Sequence, residues 1–141
     1  MPFELKWEDE GVLAEFRGVL TDDDLMLCGD DIYGSERVWE SRYAIYNYTG
    51  VGDVSFGQEA IRQLIERAFQ RAPVFPGAKI AIVTTSPLAW GLTREYMSAI
   101  ERSEWSAGVF ETMEEAREWV ASAAERTERR AEDAEKARAG D

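Results

Sequence analysis

Two short polar strings, Asn47-Tyr48-Thr49 and Thr84-Thr85-Ser86, are where this sequence is best placed to do chemistry. Each closes an apolar or aromatic run, from Tyr43 in the first case and from Ile80 to Val83 in the second. Pro87 then stands where a helix places its first residue. If the two runs are neighbouring parallel strands, these hydroxyls and the amide meet beyond the carboxyl ends. Helix N-termini above them would suit an anion or a carboxylate. The chemistry on offer is binding. The strings hold no glycine-rich phosphate motif and no acid–base pair, and turn and cap formation uses the same residues.

Other constellations are excluded by what the chain lacks. It has no histidine, so no Ser-His-Asp or Cys-His arrangement exists and the commonest proton shuttle and metal ligand is missing. Cys28 is the only cysteine, which rules out an intrachain disulfide and a thiolate-rich metal site. Its expected place is the core face of a helix. Asp22, Asp23, Asp24, Asp30 and Asp31 lack the alternate spacing and the glycine of a calcium loop, and read as helix-terminal charge. A hydrolase resting on a lone carboxylate such as Glu95 or Glu111 is the remaining catalytic option. No cofactor is implied.

Two features point to contact with other molecules. Trp90 and Met97 are seven residues apart on one helical stripe, beside Arg94 and nearly opposite Leu92. Aromatic residues, Met and Arg are enriched at interfaces, so Trp90, Arg94 and Met97 are a candidate face for a homodimer or a protein partner. Tyr46 and Tyr48 share one face of their strand, and buried phenols need partners. A cavity holding a small apolar or amphipathic ligand would supply them.

The elements that must carry these residues follow from periodicity. Phe3, Leu5 and Trp7 alternate with Glu4 and Lys6, and after Asp9-Glu10-Gly11 Val12, Ala14 and Phe16 alternate with Leu13, Glu15 and Arg17, which is a hairpin. Thr21 and Asp24 form a capping-box spacing for a helix to about Tyr33, burying Leu25, Cys28 or Gly29, and Ile32. Gly34-Ser35 ends it. A strand from Tyr43 to Thr49 and a loop at Gly50 and Gly52 follow. Ser55 and Gln58 suggest a second capping box, opening a helix with core residues Gly57, Ile61, Leu64, Ile65, Ala68 and Ala72. Pro73 and Pro76-Gly77 stop that helix before the Ile80 strand. The helix after Pro87 is expected to bury Leu88, Leu92, Tyr96, Ala99 and Ile100. A short strand at Ala107 to Phe110 and a last helix capped by Thr112, with Met113, Ala116, Trp119, Val120 and Ala123 inward, complete the order β-β-α-β-α-β-α-β-α. That is an α/β domain, with a mostly parallel sheet and one antiparallel N-terminal pairing.

At 141 residues, 45% hydrophobic and 11% aromatic, the chain reads as one globular domain over residues 1–123. The charged remainder, 124–141, is expected to fray or stay disordered. A net charge of -12 argues against nucleic acid and against anionic membrane surfaces. No apolar run approaches the roughly 18 residues of a membrane span, and the first residues lack a secretory pattern. The expected setting is the reducing cytoplasm.

The strings Ser-Arg-Tyr-Ala-Ile-Tyr-Asn-Tyr-Thr-Gly-Val (41–51), Lys-Ile-Ala-Ile-Val-Thr-Thr-Ser-Pro-Leu (79–88), Gly-Leu-Thr-Arg-Glu-Tyr-Met (91–97) and Val-Phe-Glu-Thr-Met-Glu-Glu-Ala-Arg-Glu-Trp (109–119) carry a family likeness. With this element order, they resemble the STAS domains of anti-sigma-factor antagonists, and most of all the small SpoIIAA-like, STAS/SEC14-type proteins. The likeness spans roughly residues 3 to 121. It implies a non-enzymatic regulatory domain of the bacterial type acting through protein contact. The SEC14-type relationship implies the alternative, a carrier or sensor of a small apolar or amphipathic ligand. Regulatory members carry a phosphorylated serine in an Asp-Ser-Ser/Thr-Gly motif after the third strand. Aligned on Val54-Ser55-Phe56, this chain has Gln58, Glu59 and Ala60 there instead. Ser55, already read as a cap, is then the weak candidate phosphosite.

Overall fold

The structure is a computed structural model and describes residues 3–55, 57–73 and 75–121. Its elements are β1 (Phe3–Trp7), β2 (Gly11–Thr21), α1 (Asp22–Tyr33), a 3-10 helix (Glu36–Glu40), β3 (Tyr43–Ser55), α2 (Gln58–Arg71), β4 (Lys79–Val83), α3 (Pro87–Ile100), β5 (Ser106–Phe110) and α4 (113–121). Only the 3-10 helix is added to the expected order. The five strands lie in the sheet order β1-β2-β3-β4-β5. β1 pairs antiparallel with β2, matching Phe3 to Phe16 and Trp7 to Val12, and the other pairings are parallel. Ala123 and the charged extension lie outside the described residues.

The sheet separates two apolar clusters because successive side chains point to opposite faces. The front face carries Val12, Ala14, Phe16, Ala44, Ile80 and Ile82, packed against Leu25, Cys28 and Ile32 of α1, Ala68 of α2 and Ile100 of α3. The back face carries Leu13, Ile45, Ala81 and Val83 under Ala116 and Val120 of α4. α4 is also tied by charge: Arg117 Nη1 and Nη2 each donate to a Glu8 carboxylate oxygen at 2.6 Å, and the Tyr43 hydroxyl donates to the same carboxylate. Tyr43 reaches it by crossing Gly11, where a Cβ would come within 2.4 Å of the ring.

Local chemistry explains most helix starts. Thr21 and Asp24 form the expected capping box, and Leu25, Cys28, Gly29 and Ile32 are the buried residues of α1. Ser86 Oγ accepts from the Ala89 amide with Pro87 in the first turn, and Thr112 Oγ1 accepts from the Glu115 amide.

Three expectations are corrected. Gly50 and Gly52 are not a loop, because β3 runs on through them to Ser55, paired with the end of β2. Register shifts between Glu15 and Arg17 and between Gly18 and Val19 keep the strands together. Gly50 sits at the first of these irregularities, where a Cβ would be 2.8 Å from the Phe16 carbonyl oxygen. Ser55 is therefore a strand residue, and Gly57 caps α2 with no side-chain bond. Being the cap, Gly57 is exposed, and Ala60 takes the core position assigned to it. Finally, the inward face of α3 is shifted: Ile100 is buried as expected and Leu92, Tyr96 and Ala99 are half-buried, but Ala89 and Thr93 take the deepest places and Leu88 is 59% exposed. Small residues at 89 and 93 let the helix sit close to its neighbours, and the same shift leaves Trp90 and Met97 half-buried and Arg94 exposed.

Candidate functional site: a tyrosine-lined cavity

A cavity of about 60 Å³ lies on the front face, between the sheet and the helices. Its floor is Tyr46 and Tyr48 of β3 and Ile82 of β4. Gly29 and Tyr33 of α1 face Arg67 and Arg71 of α2, and Thr93 and Tyr96 of α3 close the far side with Trp105. Strand alternation puts both β3 tyrosines on the floor, and the four-residue step puts both arginines on one stripe of α2. Trp105 is fixed by its Nε1–H, which donates to the Phe75 carbonyl at 2.6 Å, and its ring stacks on Tyr33 at 5.7 Å.

Both arginines reach the same oxygen. Arg67 Nη1 and Arg71 Nη2 donate to Asp30 Oδ1 at 2.8 and 2.6 Å, clasping α2 to α1. The Arg71 guanidinium also lies 4.6 Å over the Tyr33 ring, a cation–π contact. Gly29 makes room for it, since a Cβ there would be 2.7 Å from Arg71 Nη1.

The phenols are unusual. Burial drives the hydroxyls of Tyr46, Tyr48 and Tyr96 well above the ordinary tyrosine range, and does the same for Tyr33 with Tyr46 and Arg71 pulling partly back. Yet all four side chains keep some accessible surface, and among the described residues no buried polar side-chain atom lacks a partner. All four line the cavity. All four phenols stay protonated at neutral pH, and among the described lining residues there is no carboxylate and no histidine. The cavity is equipped to donate hydrogen bonds and to attract negative charge. It holds no group that could take a proton at neutral pH.

The six strand-end residues are not brought into one pocket. Tyr48 faces the cavity. Asn47 Oδ1 accepts from the Thr49 amide at 3.1 Å and from Thr49 Oγ1 at 2.7 Å, a local turn. Thr84 is buried and accepts from the Ser86 amide, while Ser86 caps α3. Thr84, Thr85 and Ser86 instead line a more open groove of about 410 Å³ with Pro87, Trp90 and Glu111. Among the described residues there is no cluster of three or more carboxylate or thiol groups able to hold a metal, and no helix long and apolar enough to cross a membrane.

The sequence reading missed Tyr33, Tyr96, Arg67 and Arg71. The arginines had a signal in their four-residue spacing beside Leu64 and Ala68. Their meeting with Tyr33 and Tyr96 depends on how three helices cross the sheet, which no local pattern encodes.

The architecture has known counterparts. Over 84% of this chain, it superposes on 98% of the Bacillus cell fate determinant SpoIIAA in the phosphorylated form, with a TM-score of 0.54 and 16% identity. It matches 97% of the anti-sigma factor antagonist SpoIIAA in its unphosphorylated form, at 0.53 and 15%. The fold is SpoIIAA-like. An uncharacterised DUF3478 protein from Shewanella loihica PV-4, described as having a SpoIIAA-like fold, matches over 91% of its length at 0.51 and 15%. No family model matches the sequence, and no curated protein does. At these identities the likeness concerns the SpoIIAA-like fold alone.

Proposed function

We propose that this chain is a non-catalytic regulatory domain that works by binding a partner protein. The observation that carries the reading is the match of the SpoIIAA-like fold over nearly the whole of an anti-sigma factor antagonist. The contact face we assign is the stripe of α3 on which exposed Arg94 lies beside half-buried Trp90 and Met97. With Gln58, Glu59 and Ala60 at the aligned motif, control by serine phosphorylation is not the expected mode, and Ser55 is the remaining weak candidate. The lone thiol and the acidic composition fit a cytoplasmic setting.

Native and denaturing mass spectra of the protein purified gently from its own cytoplasm test this. A stoichiometric complex, with a second protein or a second copy, should appear and should weaken in Trp90→Ala. A bare monomer at every concentration would remove the contact reading.

The cavity favours a second reading, a sensor or carrier of a small molecule. Four tyrosines line it beside two arginines, a more polar lining than core packing requires. A small mass lost on denaturation is its expected sign.

A further inference from the structure

We propose that the cavity between α1 and α2 binds a small organic carboxylate, its charge held by Arg67 and Arg71 and its short apolar body against Tyr46, Tyr48 and Ile82. The inference rests on the second reading above and names its ligand class.

The charge argument is local. Two guanidinium groups and one carboxylate meet at the clasp, so the count is two minus one, a net +1 in a chain of net -12. Arginine presents a planar fork that suits both oxygens of a carboxylate. Here two forks crowd onto the single Oδ1 atom of Asp30, which leaves donors unused. Asp30 is 53% exposed, so it can swing into water and yield its place. Arg71 cannot follow it easily, because its guanidinium lies 4.6 Å over the Tyr33 ring, in the space left by the missing side chain of Gly29. Asp30 is thus an internal stand-in for the ligand's headgroup.

Size and lining set the rest of the molecule. A cavity that takes benzene measures about 150 Å³. At about 60 Å³ this one admits a chain of a few carbons unless α1 moves. Ile82, Leu64 and the tyrosine side chains that line the cavity give that body a largely apolar bed.

The test is calorimetric titration of the full chain with sodium butyrate and with butyramide, its neutral counterpart. Butyrate should bind saturably and butyramide about tenfold more weakly. Asp30→Asn, which removes the competitor, should tighten butyrate several-fold. Arg71→Gln, checked by its melting curve to be folded, should weaken it by about tenfold. If the clasp is merely structural, both variants lose stability and neither shifts butyrate affinity in these opposite directions. Asp30→Asn sits at an exposed position, so it keeps the test valid even where Arg71→Gln fails to fold. Equal binding of butyrate and butyramide, unaffected by either variant, overturns the charge assignment and leaves a cavity for neutral ligands standing. No saturable binding of either probe in the millimolar range overturns both.

Discussion

Glu8 is met from two sides, by the fork of Arg117 and by the Tyr43 hydroxyl. The Arg117 hydrogen bonds, foremost, hold its carboxyl below the usual carboxylate range against the opposing effect of burial, with Tyr43 adding to them. A carboxyl depressed on folding stabilises the fold above its unfolded pKa, and the gain is lost as pH falls through the folded value. Glu8→Gln should therefore melt below the native protein near neutral pH, by an amount worth about 1 kcal/mol once solvent screening is allowed for. The gap between the two melting temperatures should close in acid, below the ordinary carboxylate range. A gap that persists unchanged at low pH would mean that packing, not charge, is what the substitution disturbs. Cys28 behaves oppositely. Burial, foremost, with the nearby Asp31 carboxylate, pushes its thiol up to about 12, so the nucleophilic thiolate is scarce. Labelling by a disulfide reagent should be no faster than the opening of α1. Prompt stoichiometric labelling under native conditions would contradict the buried placement.

At the scale of elements, caps and alternation were legible and axial rotation was not. Thr21 with Asp24 and Thr112 with Glu115 satisfy backbone amides within a few residues, so their signal is complete in the sequence. Thr112→Ala should lower stability by about 1 kcal/mol, and Thr112→Asp should restore it; chemical denaturation reads both. The capping box at Ser55 had the same spacing, but the register shifts of β2 and β3 carry the strand over that position. Such a shift is decided by two strands far apart in sequence. The case of α3 is similar. Leu88 looks like a core residue by type, yet the small Ala89 and Thr93 are the residues that fit beneath the helix. In the same way Tyr46 and Tyr48 could be paired on one face by counting in twos. The arginines opposite them came only with the helix crossings, so half of the cavity was visible beforehand.

For the whole molecule, the sheet order is sequential, each strand pairing with its neighbour in the chain. What that order leaves is unequal cover: three helices on the front, and α4, within the described residues, on the back. The two apolar clusters share no side chains, since the sheet stands between them. Stability is then not uniform: α4 can detach in a sub-global opening while the front cluster stays closed. Amide hydrogens of residues 113–121 should exchange with solvent deuterium through that cheaper opening, with weak dependence on denaturant. Those of Ile45, Ala81 and Val83 should exchange only with global unfolding. Equal protection across both groups would make the chain a single cooperative unit. Distinct protection would make the back of the sheet a surface that the protein can uncover without unfolding.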